Sequence, residues 1–200
     1  MLFAAEFNKV HRTLCPAPVG LPEMFKPWYQ SPGADPVGCC AALLEAGASP
    51  NLIPGDLYDA PIFSAIHASP AVLELLIGAG ADVNVTEQHG ETALAHACRF
   101  GFSQQVAALL AAGADVNASK DDGVSPAFLA CQRGHTECLE LLIDAGADVH
   151  RAAKDGATPM SIARQRGHTK CLELIGRAVR SMGGRVHLVK SAARQPRIRH

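Results

Sequence analysis

The chain has 200 residues, of which 48% are hydrophobic, 5% aromatic and 18% charged, and its formal net charge is −1. This composition is typical of short packed helices built from Ala and Leu. No apolar stretch approaches the ~18 residues that a membrane span requires, and the N-terminal residues lack the basic, apolar and small-residue order of a secretory signal. We therefore expect no membrane span. The charge is uneven: residues 1–175 hold all 19 acidic and 11 basic side chains, whereas residues 176–200 hold seven basic side chains and no acidic one.

Residues 1–34 are predicted to form an N-terminal helix followed by a Pro-rich insertion. Apolar residues from Phe3 to Leu14 recur at helical spacing on one face. Six of the 13 prolines lie between residues 15 and 36, which excludes a regular helix there. We interpret the insertion as a loop that covers the apolar end of the following domain. The alternative is a Pro-rich docking motif with Trp28 as its anchor.

A repeat dominates residues 35–180. Gly-Ala pairs recur at intervals of 33 residues, in the phrases AGASPN, AGADVN, AGADVN and AGADVH, at Gly47, Gly80, Gly113 and Gly146. A second glycine series keeps the same interval at Gly90, Gly123 and Gly156. A fixed period of this length predicts stacked units that are too small to bury their apolar faces alone. We expect four to five units, the first degenerate and the last a cap, and such arrays usually act as binding surfaces.

The unit over residues 123–152 shows the predicted design. Ser125 caps a short first helix near residues 128–132, and a second helix covers residues 137–144 with a broad apolar stripe. Gly146 then ends the second helix in a left-handed conformation, and an extended hairpin leads to the next unit. The second unit departs from this pattern, with one extra residue before Pro61 and one fewer between its helices, so we expect local irregularity there.

The array is predicted to close with a helix over residues 171–180, because Val179 stands where the next glycine of the series is expected. Residues 181–200 are basic and poor in core-forming side chains, which predicts a disordered tail. A tail with this charge raises the alternative of nucleic-acid contact. We do not favour that alternative, because no aromatic side chains are interleaved with the basic ones.

The start of each unit carries a further motif, read as APIFSA at residues 60–65, TALAHA at 92–97, SPAFLA at 125–130 and TPMSIA at 158–163. Together with Gly-His turns at residues 134–135 and 167–168, these motifs resemble the ankyrin repeat family. The resemblance covers about residues 35–180 and implies an all-α solenoid of helix-turn-helix units joined by β-hairpin loops. The family's motif has a His that is replaced here by Phe63, Ala95, Phe128 and Ser161. We therefore expect the polar contact between units to be absent, and cohesion to rest on packing.

The seven cysteines include two pairs spaced by 33 residues, Cys98 with Cys131 and Cys138 with Cys171. Equivalent repeat positions indicate small buried thiols that pack like Ala or Val, and not a ligand set. The same usage predicts a reduced, intracellular protein in the cytoplasm or the nucleus. The sequence has no nucleotide-binding, zinc-protease or serine-hydrolase motif, and its histidines lack metal-ligand spacing. We predict no catalytic residues, no metal and no cofactor.

Exposed side chains at the hairpin tips and late in the first helices are the candidates for binding a partner. They are His89, Glu91, Arg99, Phe100, Lys120, Asp122, Gln132, Arg133, Lys154 and Arg166. Most are expected to be solvated loop residues, because a hot spot needs only a few residues and favours an aromatic side chain or Arg. We predict its centre at Phe100 with Arg99 and Arg133.

Asn84 and Asn117 are candidates for hydroxylation. The leucine and Asp-Val-Asn spacing around each resembles the pattern that asparaginyl hydroxylases accept in ankyrin repeats. The alternative is structural, with the asparagine side chains bonded to local backbone. Asn84 is the better candidate, because the irregular second unit should open most easily.

The function predicted from these features is that of a non-enzymatic, monomeric adaptor or scaffold. It would bind another protein through its hairpin tips and the concave face of its first helices. Two alternatives remain open: a substrate-recruiting or regulatory subunit of an enzyme complex, and a nucleic-acid-associated factor that uses the basic tail.

Overall fold

The computed structural model describes residues 35–51 and 60–192, with side chains for all of these except Gln88 and residues 181–192. The helix and insertion predicted for residues 1–34, and residues 193–200, lie outside the described residues. Nine α-helices occupy the described part: α1 Pro36–Glu45, α2 Pro61–Ala68, α3 Pro70–Gly78, α4 Ala93–Phe100, α5 Ser103–Ala111, α6 Pro126–Arg133, α7 Thr136–Asp144, α8 Pro159–Arg166 and α9 Thr169–Ala192. Within it the only β pairing is an isolated bridge between Thr86 and Thr92. The all-α class is confirmed.

The helices form two layers. The first helices of successive units, α2, α4, α6 and α8, pack side by side in what we call the inner layer. The outer layer contains α1, α3, α5, α7 and α9, and each inner helix also packs on the outer helix that follows it. A hairpin loop connects one two-helix unit to the next. This is the repeating architecture that the 33-residue period predicts.

The ends of the helices follow from the residues that recur at them. Ser125 Oγ accepts a hydrogen bond from the backbone N–H of Phe128 at 3.2 Å and so caps α6. At the end of α7, Gly146 adopts φ +88°, which glycine tolerates without strain. The N–H groups of Gly146 and Ala147 then reach back to the carbonyls of Ile143 at 3.0 Å and Leu142 at 2.9 Å. The predicted start and stop of this unit are both confirmed.

One buried apolar side chain per outer helix recurs at the same repeat position, and we call this series the ladder; its members from Leu76 to Ile175 belong to one core cluster. The side chains are Leu43, Leu76, Leu109, Leu142 and Ile175, spaced by 33 residues, and none is more than 8% exposed. Burying a side chain of this size contributes about 1.5–3 kcal/mol each. Six cysteines also lie in the buried interior: Cys39, Cys40, Cys98, Cys131, Cys138 and Cys171. The repeat spacing predicts this burial for the pairs Cys98 with Cys131 and Cys138 with Cys171.

The second unit is irregular, as predicted. A single residue, Ser69, both ends α2 and caps α3, whereas later units use a left-handed glycine and one further residue between their helices. Gln105, which is buried in the outer helix of the following unit, donates a hydrogen bond from Nε2 to the carbonyl of Ile66 near the end of α2 at 3.1 Å. This bond satisfies the Ile66 carbonyl, for which the shortened turn supplies no donor.

The expectation that cohesion between units rests on packing alone is wrong, because polar contacts other than the family's histidine join the units. Hairpin asparagines accept hydrogen bonds from the backbone of the next unit, Asn51 from Asp82 N at 2.7 Å, Asn84 from Asp115 N at 2.8 Å and Asn117 from Asp148 N at 2.8 Å. Asn51 and Asn84 also donate to the carbonyls of Gly80 at 2.9 Å and Gly113 at 3.4 Å. Because these partners lie 29 to 31 residues away, the structural role predicted for the asparagines is real but joins units, and is not local.

The closing helix is longer than predicted. It begins at Thr169 and continues to Ala192, past the expected end at residue 180. Residues 181–192 contain no proline to break the helix. Gly183 and Gly184 each weaken a helix by about 1 kcal/mol without removing a hydrogen-bond donor. The prediction of a disordered tail beginning at residue 181 is therefore corrected for this segment.

Candidate binding surface

The hairpin tips form one edge of the array. Each tip closes on itself, for example through Lys120 N bonded to Val124 O at 3.0 Å. Neighbouring tips are also bonded to each other, with Asp121 N on His89 O and Lys154 N on Asp122 O, both at 2.9 Å. The tips therefore form a continuous, fixed edge along three units.

Of the predicted tip residues, His89, Asp122 and Lys154 are exposed on this edge. Lys120 is half-buried, and its ammonium lies 3.6 Å from the Asp122 carboxylate.

The last residue of each regular inner helix is exposed beside this edge. These residues are Phe100 in α4, Arg133 in α6 and Arg166 in α8, at the same position of three successive units. Phe100 is 47% exposed, which is unusual for a large apolar side chain in the described part of the chain. Arg99 and Gln132, one residue earlier in their helices, are half-buried. We call the surface formed by the tips and the exposed side of the inner helices the groove.

An aromatic cluster that the sequence analysis does not predict surrounds Phe100. Its ring centroid lies 5.1 Å from that of His67, 5.0 Å from that of His96 and 5.9 Å from that of Phe102. The Arg99 guanidinium lies 5.1 Å from the centre of the Phe100 ring. The predicted centre thus brings Phe100 and Arg99 together, while Arg133 lies one unit further along the groove.

A hydrogen-bond chain runs through the same cluster. Arg99 Nη2 lies 3.1 Å from His96 Nδ1, and His96 Nε2 lies 2.7 Å from His67 Nε2. Because a guanidinium can only donate, His96 Nδ1 must accept. The neutral His96 ring therefore carries its proton on Nε2 and donates it to His67, whose own proton is on Nδ1. The geometry specifies one tautomer for each ring.

The electrostatics of the cluster agree with this assignment. Burial, together with the positive charges of Arg99 and of a protonated His67, lowers the pKa of His96 to about 4. Burial and Arg99 also lower the pKa of His67. Both rings are therefore neutral at neutral pH, and the charge next to Phe100 is that of Arg99, which pairs with Glu91.

Glu91 corrects the predicted binding set. It is only 5% exposed, so it cannot offer its side chain to a partner as expected. Its backbone carbonyl closes the hairpin by accepting from Glu87 N at 2.8 Å, and its side chain turns inward, where Oε1 lies 3.4 Å from Arg99 Nη2. The residue pairs with the arginine beneath the aromatic cluster, and so holds Arg99 in place. A hairpin position alone could not show which way this side chain turns.

The described residues offer no ready chemistry. No group of three or more His, Cys, Asp or Glu side chains among them is placed to hold a metal ion. Burial raises the pKa of the Cys138 thiol to about 11 and raises that of the Cys131 thiol above its ordinary range. These thiols stay protonated and are poor nucleophiles. No described helix is long and apolar enough to cross a membrane.

Stacked two-helix units joined by hairpins, with an exposed groove along one side, define a helical-repeat protein. A family model described as ankyrin repeats matches the chain in three overlapping stretches, residues 34–120, 62–153 and 103–181. The chain belongs to the ankyrin repeat family. Ankyrin repeats are generally protein-interaction modules, and the family is typically non-enzymatic. A comparison with curated proteins finds no match to this chain.

Proposed function

We propose that this chain is a non-enzymatic adaptor or scaffold that binds a partner protein through the groove, and that it works as a monomer in the cytoplasm or the nucleus. Phe100 carries the proposal. A half-exposed aromatic ring on a packed helix, held by neighbouring rings and by Arg99, loses little conformational freedom when it is covered, and such side chains dominate binding energies.

The reduced interior supports the intracellular part of the proposal. The described thiols are buried, and those of Cys40, Cys98, Cys131, Cys138 and Cys171 are free, as is usual where glutathione keeps cysteines reduced. The raised pKa values of these five thiols and the family's typical lack of enzymatic activity support the non-enzymatic part.

Affinity capture with the intact chain tests the proposal. Cell extract is passed over the wild type, a Phe100→Ala variant and a control variant, Glu137→Ala, which changes an exposed residue of the outer helix α7. Quantitative mass spectrometry should find proteins that the wild type and Glu137→Ala retain and that Phe100→Ala loses. Recovery of the same proteins by all three chains would show that the groove is not the binding surface.

A further inference from the structure

We propose that the groove accepts an acidic peptide segment with one apolar anchor residue, the anchor packing on Phe100 and the carboxylates meeting Arg133 and Arg166. This inference rests on the proposed function, because it specifies the partner of the same groove. It comes from the distribution of charge over the inner helices.

The charged side chains of the inner helices are all positive. The helices α2, α4, α6 and α8 contain no Asp and no Glu, but they contain four arginines, Arg99, Arg133, Arg164 and Arg166. Glu91 balances Arg99 from the adjoining hairpin. Arg133 and Arg166 have no ion-pair partner among the described residues. The exposed ends of α6 and α8 therefore carry two positive charges that pair with no acidic side chain in the part of the chain described.

The repeat places these two charges in register with the anchor site. Phe100, Arg133 and Arg166 occupy one position of three neighbouring units, so they follow each other along the groove. Arg164 does not belong to this row. It aligns with the buried residues Cys98 and Cys131, and it is exposed because no inner helix follows α8 among the described residues. The row thus reads, from one unit to the next, as an aromatic ring, a guanidinium and a second guanidinium.

The aromatic cluster explains why the anchor should be apolar. The rings of His67 and His96 beside Phe100 are neutral. Both nitrogens of His96 are bonded, one to His67 and one to Arg99, and the charge of Arg99 is paired with Glu91. A partner side chain that packs there displaces water from a surface of uncharged rings, and an aliphatic or aromatic side chain gains most from that contact. A charged side chain would lose its hydration at the same place.

The mixed charge of the tips favours a peptide over a nucleic acid. Asp121, Asp122 and Asp155 are exposed on the hairpins that border the row, together with Arg151 and Lys154, and Asp122 pairs with Lys120. A nucleic-acid strand carries one negative charge at every nucleotide and would bring phosphates against these carboxylates. A peptide can confine its acidic residues to the positions opposite Arg133 and Arg166. Guanidinium groups also bind carboxylates in paired, directional hydrogen bonds.

Selection from a random peptide library tests the inference without assuming a sequence. The intact chain is used to select binders from displayed random 12-residue peptides, and the dissociation constants of the enriched synthetic peptides are measured by fluorescence anisotropy. We expect enriched peptides to combine one apolar position with two or more Asp or Glu. Phe100→Ala should weaken their binding at least about tenfold, and Arg133→Glu or Arg166→Glu at least about fivefold each.

Three further measurements sharpen the test. Arg180→Glu, a charge reversal on the outer helix α9, should leave the dissociation constant unchanged. A peptide whose acidic residues are replaced by Lys should bind Arg133→Glu better than it binds the wild type. Binding of the acidic peptides should weaken as salt is raised, because exposed charges are screened.

The outcomes separate this inference from the function on which it rests. Enriched peptides without acidic residues, whose binding Phe100→Ala abolishes and Arg133→Glu leaves unchanged, would overturn the charge preference and leave the groove as the binding surface. Peptides insensitive to all three groove variants would overturn both. A single-stranded oligonucleotide that binds more tightly than the peptides and competes with them would replace the peptide by a nucleic acid.

Discussion

Mild acid should destabilise the fold through the histidine pair. The pKa of His96 is about 4 in the folded protein and 6.5 ordinarily. Between pH 6.5 and about pH 4, the unfolded chain therefore binds a proton at this ring that the folded chain does not bind. The contribution of the neutral ring to the free energy of unfolding is fully present above pH 6.5 and is lost as the pH falls towards 4. Protonation would place a positive charge next to Arg99 and His67. Among the described residues, Glu91 is the carboxylate of this network, and it pairs with Arg99.

The size of the effect follows from the same values. A pKa of about 4 instead of 6.5 sets an upper limit of about 3 kcal/mol, because one pH unit corresponds to about 1.4 kcal/mol. The His96 residue is buried but keeps 9% of its surface exposed, so the remaining contact with solvent reduces this limit and we expect about 1–2 kcal/mol.

Urea unfolding followed by circular dichroism, at about pH 7.5 and about pH 4.5, measures the effect. Many carboxylates also titrate across this interval, so the informative quantity is the difference between the wild type and His96→Gln. Glutamine can accept from Arg99 and donate to His67 without titrating. The wild type should lose about 1–2 kcal/mol more than His96→Gln on acidification. A control variant, His150→Gln on an exposed hairpin, should follow the wild type. Parallel losses in the wild type and His96→Gln would refute the reasoning.

Three further predictions concern the array and its modification. Leu142→Ala removes a fully buried rung of the outer-helix ladder and should lower the free energy of unfolding by about 2–5 kcal/mol in urea titrations; a negligible change would mean that the ladder does not carry the stack. Removal of residues 183–200 should leave the melting temperature nearly unchanged, because this segment is basic and poor in core-forming residues, and a drop of several degrees in calorimetry would show that it packs on the array. We also propose that Asn84, and less readily Asn117, is hydroxylated when its unit opens; incubation with an asparaginyl hydroxylase should add one oxygen to the peptide that contains Asn84, and an unmodified peptide alongside a modified control repeat would exclude this.

Much of the fold follows from local sequence. A helix start such as Ser125, a helix stop such as Gly146 and a repeated apolar position such as Leu142 each act within a few residues, and the 33-residue period places them in every unit. The exposure of Phe100 and Arg133 also follows, because the ends of the first helices face outward in each regular unit. These features were accessible because each depends on backbone geometry that the repeat imposes.

The inside of the candidate site was not accessible in the same way. His67 and His96 are 29 residues apart and occupy different positions of their units, so the repeat does not pair them. Glu91 was misplaced because the direction of its side chain depends on Arg99, in a different element. A signal did exist: His96 lies next to the motif position where the family has its own histidine.

The asparagine bonds between units also mark where the array stops being extendable. Every unit up to Asn117 offers an amide oxygen to the backbone of its successor. His150 replaces the asparagine in the last hairpin, and α9 follows through the position where another hairpin would begin. Consider a 33-residue unit copied from residues 85–117 and inserted after Asn117. The backbone N–H of its copied Asp115 would bond to Asn117, and its copied Asn117 would accept from Asp148 N. The same unit appended after His150 would lack both of these bonds. Duplication can therefore lengthen the array within the stack but not at its end.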